Sequence, residues 1–175
     1  MNAILELCPK QHRLDEPLDP RSEHGETWRQ VDKVVGYDPE TRTVYATRTF
    51  TGEEVIKNED HLEGWVIMAG ALQQEFGCQA AIQYALFDHQ YDGCLFTIIK
   101  IEATFRQPVA ANTELMAICQ LLKLPKPGTI NLGEAACQLK TADGAVVMTA
   151  KIVFKAVLKS RTPLAGPQTA TTEEG

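Results

Sequence analysis

The sequence predicts an α+β fold in which a curved antiparallel sheet wraps around one central helix. Three observations carry that prediction. Residues 70–87 put apolar side chains on most sides of a helix, which marks it as buried rather than surface-lying. Two strand-like segments precede this helix and four follow it, which argues against alternating β–α units. Turn chemistry separates the strands at 37–41, 125–128 and 142–144.

Residues 1–27 are polar and carry Pro9, Pro17 and Pro20, so they read as an irregular arm with one short helical turn near Ile4, Leu5 and Leu7. Residues 28–158 read as the folded domain. Its first strands, 28–36 and 43–50, form a hairpin across Tyr37-Asp38-Pro39-Glu40-Thr41. Residues 53–69 read as a loop, and a loop of that length is uncommon unless it is functional. The helix 70–87 ends at the polar turn 88–93. Strand segments 94–106, 114–124, 129–141 and 145–158 follow. In the first, the odd positions from 99 onward alternate with Lys100, Glu102, Thr104 and Arg106, so one face should be buried. Gly133 is placed where a bulge would fall. Residues 159–175 are rich in Thr, Pro, Gly and Glu and read as a disordered tail.

The chain has 175 residues and is 44% hydrophobic, enough for one domain to bury a core without disulfides. A formal charge of −6 argues against nucleic acid or an anionic membrane as the main partner. No apolar run is long enough to span a membrane. The five cysteines lack any metal-ligand spacing, so no metal is expected. Their odd number, with no secretory signal at the N-terminus, points to a reducing cytoplasm. No cofactor is called for. An acidic carrier protein would need a local basic patch, for which Lys100, Arg106, Lys123 and Lys126 are available.

Chemistry concentrates between 61 and 76. His61 stands in the long loop, and Glu75 follows fourteen positions later within the apolar helix. An ionised carboxylate buried there would cost several kcal/mol, roughly, unless paired or hydrogen-bonded. A His and a Glu can share acid and base work because environment moves their pKa values apart. Gly70 opens the helix. Its amide faces no preceding helical carbonyl, so this end favours developing negative charge.

The pattern His61-x-x-Gly64-x-x-x-Met68-x-Gly70, with Glu75 in the helix, resembles the active-site segment of FabZ-type 3-hydroxyacyl-acyl-carrier-protein dehydratases. Thr104-Phe105-Arg106-Gln107-Pro108-Val109 resembles a second signature of that family, and Val31-Asp32-Lys33-Val34 its first strand. The resemblance spans roughly residues 28 to 157. It implies the hotdog fold and a homodimer or higher homo-oligomer. It implies that His61 removes the proton beside the thioester carbonyl, that Glu75 of a partner subunit protonates the leaving hydroxyl, and that the Gly70 amide holds the carbonyl oxygen. Gly64, Trp65, Met68 and Phe105 are then expected against the substrate, with Trp65 able to shorten or redirect the acyl tunnel. The substrate would be an acyl thioester on acyl carrier protein or coenzyme A, in fatty acid, lipid or polyketide biosynthesis.

The chain departs from the family around the histidine. The family's prolines and aromatic are replaced in Asp60-His61-Leu62-Glu63-Gly64-Trp65-Val66, and Asp60 and Glu63 favour the protonated histidine. Two other functions therefore stay open. In a hotdog thioesterase, Glu75 would activate water or attack the carbonyl held at Gly70. In a non-catalytic acyl-binding partner, neither reaction would occur.

Overall fold

A computed structural model describes residues 3–21, 29–56, 67–87 and 91–158. Seven strands form a single sheet in the order β1-β2-β3-β5-β6-β7-β4, and every neighbouring pair is antiparallel. They are β1 (Arg13–Leu18), β2 (Lys33–Asp38), β3 (Thr43–Thr49), β4 (Cys94–Phe105), β5 (Glu114–Lys123), β6 (Gly133–Thr141) and β7 (Val146–Leu158). One long helix, α2 (Gly70–Phe87), lies against the sheet and meets β3, β4, β5, β6 and β7.

The helix bounds agree with the sequence pattern. Gly77 explains how closely α2 approaches the strands. A Cβ there would sit 3.1 Å from Met148 Cε and 3.2 Å from Cys137 Sγ, so a small residue is required. Ala80, Ala81 and Ala85 are likewise fully buried on α2. Phe76 from the helix and Phe154 from β7 anchor the core, each contributing about 2–3 kcal/mol by burial. All five cysteines are free and buried, and Cys119 and Cys137 face each other across β5 and β6 with sulfurs 3.0 Å apart.

The arm differs from the irregular segment expected. It forms two 3-10 turns, Ala3–Leu7 and Lys10–His12, and then β1, which pairs with β2. Its strand has no alternating pattern and contains Pro17, which only an edge strand accommodates. Ile4 and Cys8 pack with Val35, Tyr45 and Met116 in a second cluster, separate from the core that holds α2. Gly36 makes room for this, because a Cβ there would collide with the Cys8 sulfur. Further along, the Arg21 backbone bonds Gln83 of α2 in both directions, at 3.0 and 2.9 Å, and Arg21 Nη1 donates to the Leu86 carbonyl.

The 53–69 segment is also not all loop. A short helix, α1 (Gly52–Ile56), begins it. Thr51 Oγ1 accepts from the Glu54 amide while Glu54 Oε2 accepts from the Thr51 amide, a reciprocal cap readable in Thr51-Gly52-Glu53-Glu54. Arg48 ties this end to the sheet by ion pairs with Asp32 and Glu54.

β4 is the outer strand opposite β1. Residue 99 is an extra residue relative to β7, since Ile98 faces Phe154 and Lys100 faces Val153. This bulge switches the inward side from Cys94 and Phe96 to Ile101 and Ala103. The expected buried face is thus only partly covered in one chain. Ile99 remains 52% exposed and Phe105 45% exposed. An edge strand has no neighbour on its outer side to cover them.

Candidate functional site

The amino end of α2 borders an open cleft of about 610 Å³. One wall is the start of the helix, with Gly70, Ala71, Gln73 and Gln74. The other is the end of β4 and the residues beyond it, from Phe105 to Pro108, with Ile67 and Met68 between them. Two backbone links hold the mouth in place. The Met68 amide donates to the Val109 carbonyl at 2.7 Å, and Ile67 bridges Ala110.

Gly70 is required by close approach. A Cβ at this position would lie 2.7 Å from Phe105 Cζ, so the ring rests directly on the helix start. The amides of Gly70 and Ala71 have no carbonyl within α2 to bond, as at the start of any helix. An oxygen acquiring negative charge in this cleft would meet them and the positive end of an eighteen-residue helix.

Three of the sequence-predicted residues come together here: Met68, Gly70 and Phe105. His61, Gly64 and Trp65 lie outside the described residues. Glu75 differs from its expectation. The sequence pattern suggested burial, but in the single chain Glu75 is exposed and does not line this cleft. The reason is helical geometry. Ala71, Glu75, Ile82 and Leu86 share the side of α2 that the sheet leaves least covered. The resemblance assigned Glu75 to a partner's site, and its position off its own cleft is compatible with that.

Glu75 is nevertheless held. The Gln30 amide donates to Gln79 Oε1 at 2.8 Å, which turns Gln79 Nε2 towards Glu75, where it donates to Oε1 at 2.8 Å. A backbone group of the 29–31 segment thus sets the orientation of the carboxylate. Neighbouring Cys78 is no alternative nucleophile. Burial first, and the Glu75 charge second, push its thiol up to about 12. Among the described residues no group of three or more His, Cys, Asp or Glu could hold a metal ion.

Sequence reasoning passed over two glutamines. Gln79 is the orienting group just described. Gln73 is 3% exposed, lines the cleft, and its Oε1 has no hydrogen-bond partner among the described residues. The available signal was a set of glutamines at 73, 79 and 83 in a helix otherwise too apolar to face water.

Neither a family model nor a curated protein matches the sequence. Solved structures do match. A Thermus thermophilus hypothetical protein described as a thioesterase superfamily member is 14% identical with a TM-score of 0.57, over 69% of this chain and 85% of that one. A Haemophilus influenzae thioesterase is 11% identical with a TM-score of 0.52, over 72% and 78%. The E. coli PaaI protein from the phenylacetic acid degradation operon is 14% identical with a TM-score of 0.51, over 67% and 75%. The sheet wrapped on one long helix is therefore the hotdog fold, as the sequence resemblance implied. No helix among the described residues is long and apolar enough to cross a membrane.

Proposed function

We propose that this chain is an enzyme of acyl thioesters and that hydrolysis is its reaction. The observation that carries the reading is the cleft at the amino end of α2, lined by Gly70 and Ala71, whose amides have no carbonyl within the helix to bond. The thioesterase names of similarly folded proteins support hydrolysis over elimination. The carbonyl oxygen sits at the Gly70 and Ala71 amides. Glu75, supplied by a second copy, takes a proton from water as it adds to the carbonyl carbon. The C–S bond then breaks and the proton passes to the departing thiolate. The apolar β4 edge, with Ile99 and Phe105 uncovered, is a surface on which a second copy fits.

A second reading rests on a specific observation. His61 precedes Gly70 and Glu75 at the dehydratase spacing. In that reaction His61 takes the α-proton, the amides hold the enolate oxygen, and Glu75 protonates the β-hydroxyl as it leaves as water.

The test is mass spectrometry of 3-hydroxyacyl thioesters of coenzyme A and of acyl carrier protein, incubated with wild type, His61→Ala and Glu75→Gln. Free acid and thiol, dependent on Glu75 but not on His61, is the expected result. Loss of one water that needs both residues would replace hydrolysis with dehydration. Unchanged substrate in every sample would leave only acyl binding.

A further inference from the structure

Four basic residues are available in the sequence for a local positive patch: Lys100, Arg106, Lys123 and Lys126. The strand register separates them. At the cleft end of the sheet, Phe105 of β4 faces Met148 of β7, and Met148 faces Leu139 of β6. Lys123 faces Glu134, which faces Val153, five residues further along β7 than Met148. That is roughly 17 Å along the strand from the cleft. Lys126 lies beyond the same end, since Gly128 bonds the Ala156 carbonyl. Lys100 also faces Val153, and its ammonium pairs with Glu102. Of the four, only Arg106 stays at the cleft. Its amide donates to the Val147 carbonyl at 2.8 Å, which extends the pairing with β7 and fixes where the side chain starts. Arg106 is exposed, and among the described residues that line the cleft it is the only charged one.

We propose that Arg106 is a specificity-determining residue that binds an oxyanion carried by the acyl thioester. This rests on the thioester reading above. The chain has a formal charge of −6, so its field as a whole disfavours anions. A cleft whose described lining carries a single, positive charge reverses that locally. A guanidinium presents two parallel N–H donors, which match carboxylate or phosphate oxygens. Arg106 directly follows Phe105, whose ring rests on Gly70, so one ligand can reach both the helix start and the cation. Acyl thioesters carry an oxyanion in two places. One is a carboxylate at the far end of a dicarboxylic acyl chain, and the other is the phosphate of the pantetheine arm. Because the cation is exposed, water and salt screen it, so the preference is modest and falls with ionic strength.

The test compares Arg106→Gln and Arg106→Lys with the wild-type chain on three esters of one acyl length. They are hexanoyl-pantetheine, which is neutral, hexanoyl-4′-phosphopantetheine, and the adipoyl monothioester of pantetheine. The readout is kcat/KM on an anionic ester divided by kcat/KM on the neutral one. Arg106→Gln should lower that ratio by about threefold to tenfold, through KM rather than kcat. Arg106→Lys should restore part of it, and about 0.5 M potassium chloride should shrink the wild-type ratio. A fall confined to the phosphopantetheine ester identifies the carrier's phosphate. A fall confined to the adipoyl ester identifies the acyl carboxylate, and a fall on both supports recognition of either oxyanion. A ratio unchanged by Arg106→Gln on both anionic esters overturns the proposal. So does a ratio as low with Lys as with Gln, since charge would then not be what acts. If the wild type turns over none of the three, the thioester reading falls and takes this inference with it. If it turns them over with a ratio that ignores Arg106, only this inference falls.

Discussion

In the carboxyl-terminal half of α2, Gln79 and Gln83 are buried and bonded to backbone groups from the segments before β2. In the amino-terminal half, Gln73 is as deeply buried, yet no described residue donates to its Oε1, while Glu75 is exposed. The residue type and the helix are the same. The difference is what each half faces. The later turns face a strap of the same chain, so their polar groups are fully used in folding. The first turns border an open cleft, with Gln73 and Gln74 among the residues that line it. One helix thus has a carboxyl-terminal half tied to the arm and an amino-terminal half that borders the cleft.

The largest expected effect lies on the amino-terminal half. Glu75→Gln should lower thioester turnover by about 10²–10⁴-fold, with little change in melting midpoint, because the side chain is exposed. Turnover near the wild-type rate would remove Glu75 from the mechanism.

The stabilising half should respond in the other sense. Gln83→Leu strands the Arg21 amide and carbonyl and should cost about 1–3 kcal/mol in urea unfolding. Gln79→Leu should cost a similar amount and also lower turnover, since it frees the Glu75 carboxylate. A stability gain in either would erase the contrast with Gln73.

A smaller effect is expected where the start of the helix meets the cleft wall. Gly70→Ala places a methyl 2.7 Å from Phe105 Cζ, but the ring is half exposed and can swing away. A stability cost of about 1 kcal/mol and a raised KM should result. Phe105→Leu in the same chain should relieve part of the cost, measured as a double-mutant cycle. Strict additivity would show that the ring does not mediate it.

The smallest effects concern the thiols. Burial raises Cys78 to about 12 and Cys8 to about 11. Both stay protonated in the fold above the unfolded value of about 8.5. Their contribution is complete below that pH and declines as pH rises towards the folded values. Stability should therefore fall gradually above about pH 8.5. Iodoacetamide at pH 8 should label the native chain far more slowly than the unfolded one, and rapid native labelling of Cys78 would contradict its burial.

Much of the fold was legible in the sequence for definite reasons. The span 70–87 is apolar on nearly all sides and opens on a glycine, so the helix and its ends could be read directly. The shift of apolar residues to odd positions beyond 99 carried the trace of the β4 bulge. β1 was hidden, because Arg13-Leu14-Asp15-Glu16-Pro17-Leu18 buries almost nothing and so shows no period. Of the residues that line the cleft, Gly70, Met68 and Phe105 were the ones the resemblance named. Gln73 was passed over, since three glutamines in an apolar helix mark burial without revealing what bonds each of them. The exposure of Glu75 was misjudged because an apolar neighbourhood in sequence does not say which stripe the sheet leaves open.

The way the first residues cross the sheet has a consequence for dividing the chain. Residues 3–8 pack in one cluster, β1 extends the edge, and Arg21 reaches α2 in the other direction. A chain begun at residue 29 would lose all three attachments together and leave Gln83 without its backbone partners. Such a truncation leaves a vacancy of defined shape and polarity rather than a shorter domain. A synthetic peptide of residues 1–21 should therefore reassemble with the truncated chain by fragment complementation, restoring its melting midpoint in a saturable, concentration-dependent way. Failure of the peptide to raise the midpoint at any concentration would mean that covalent attachment, not complementary surface, is what keeps the arm in place.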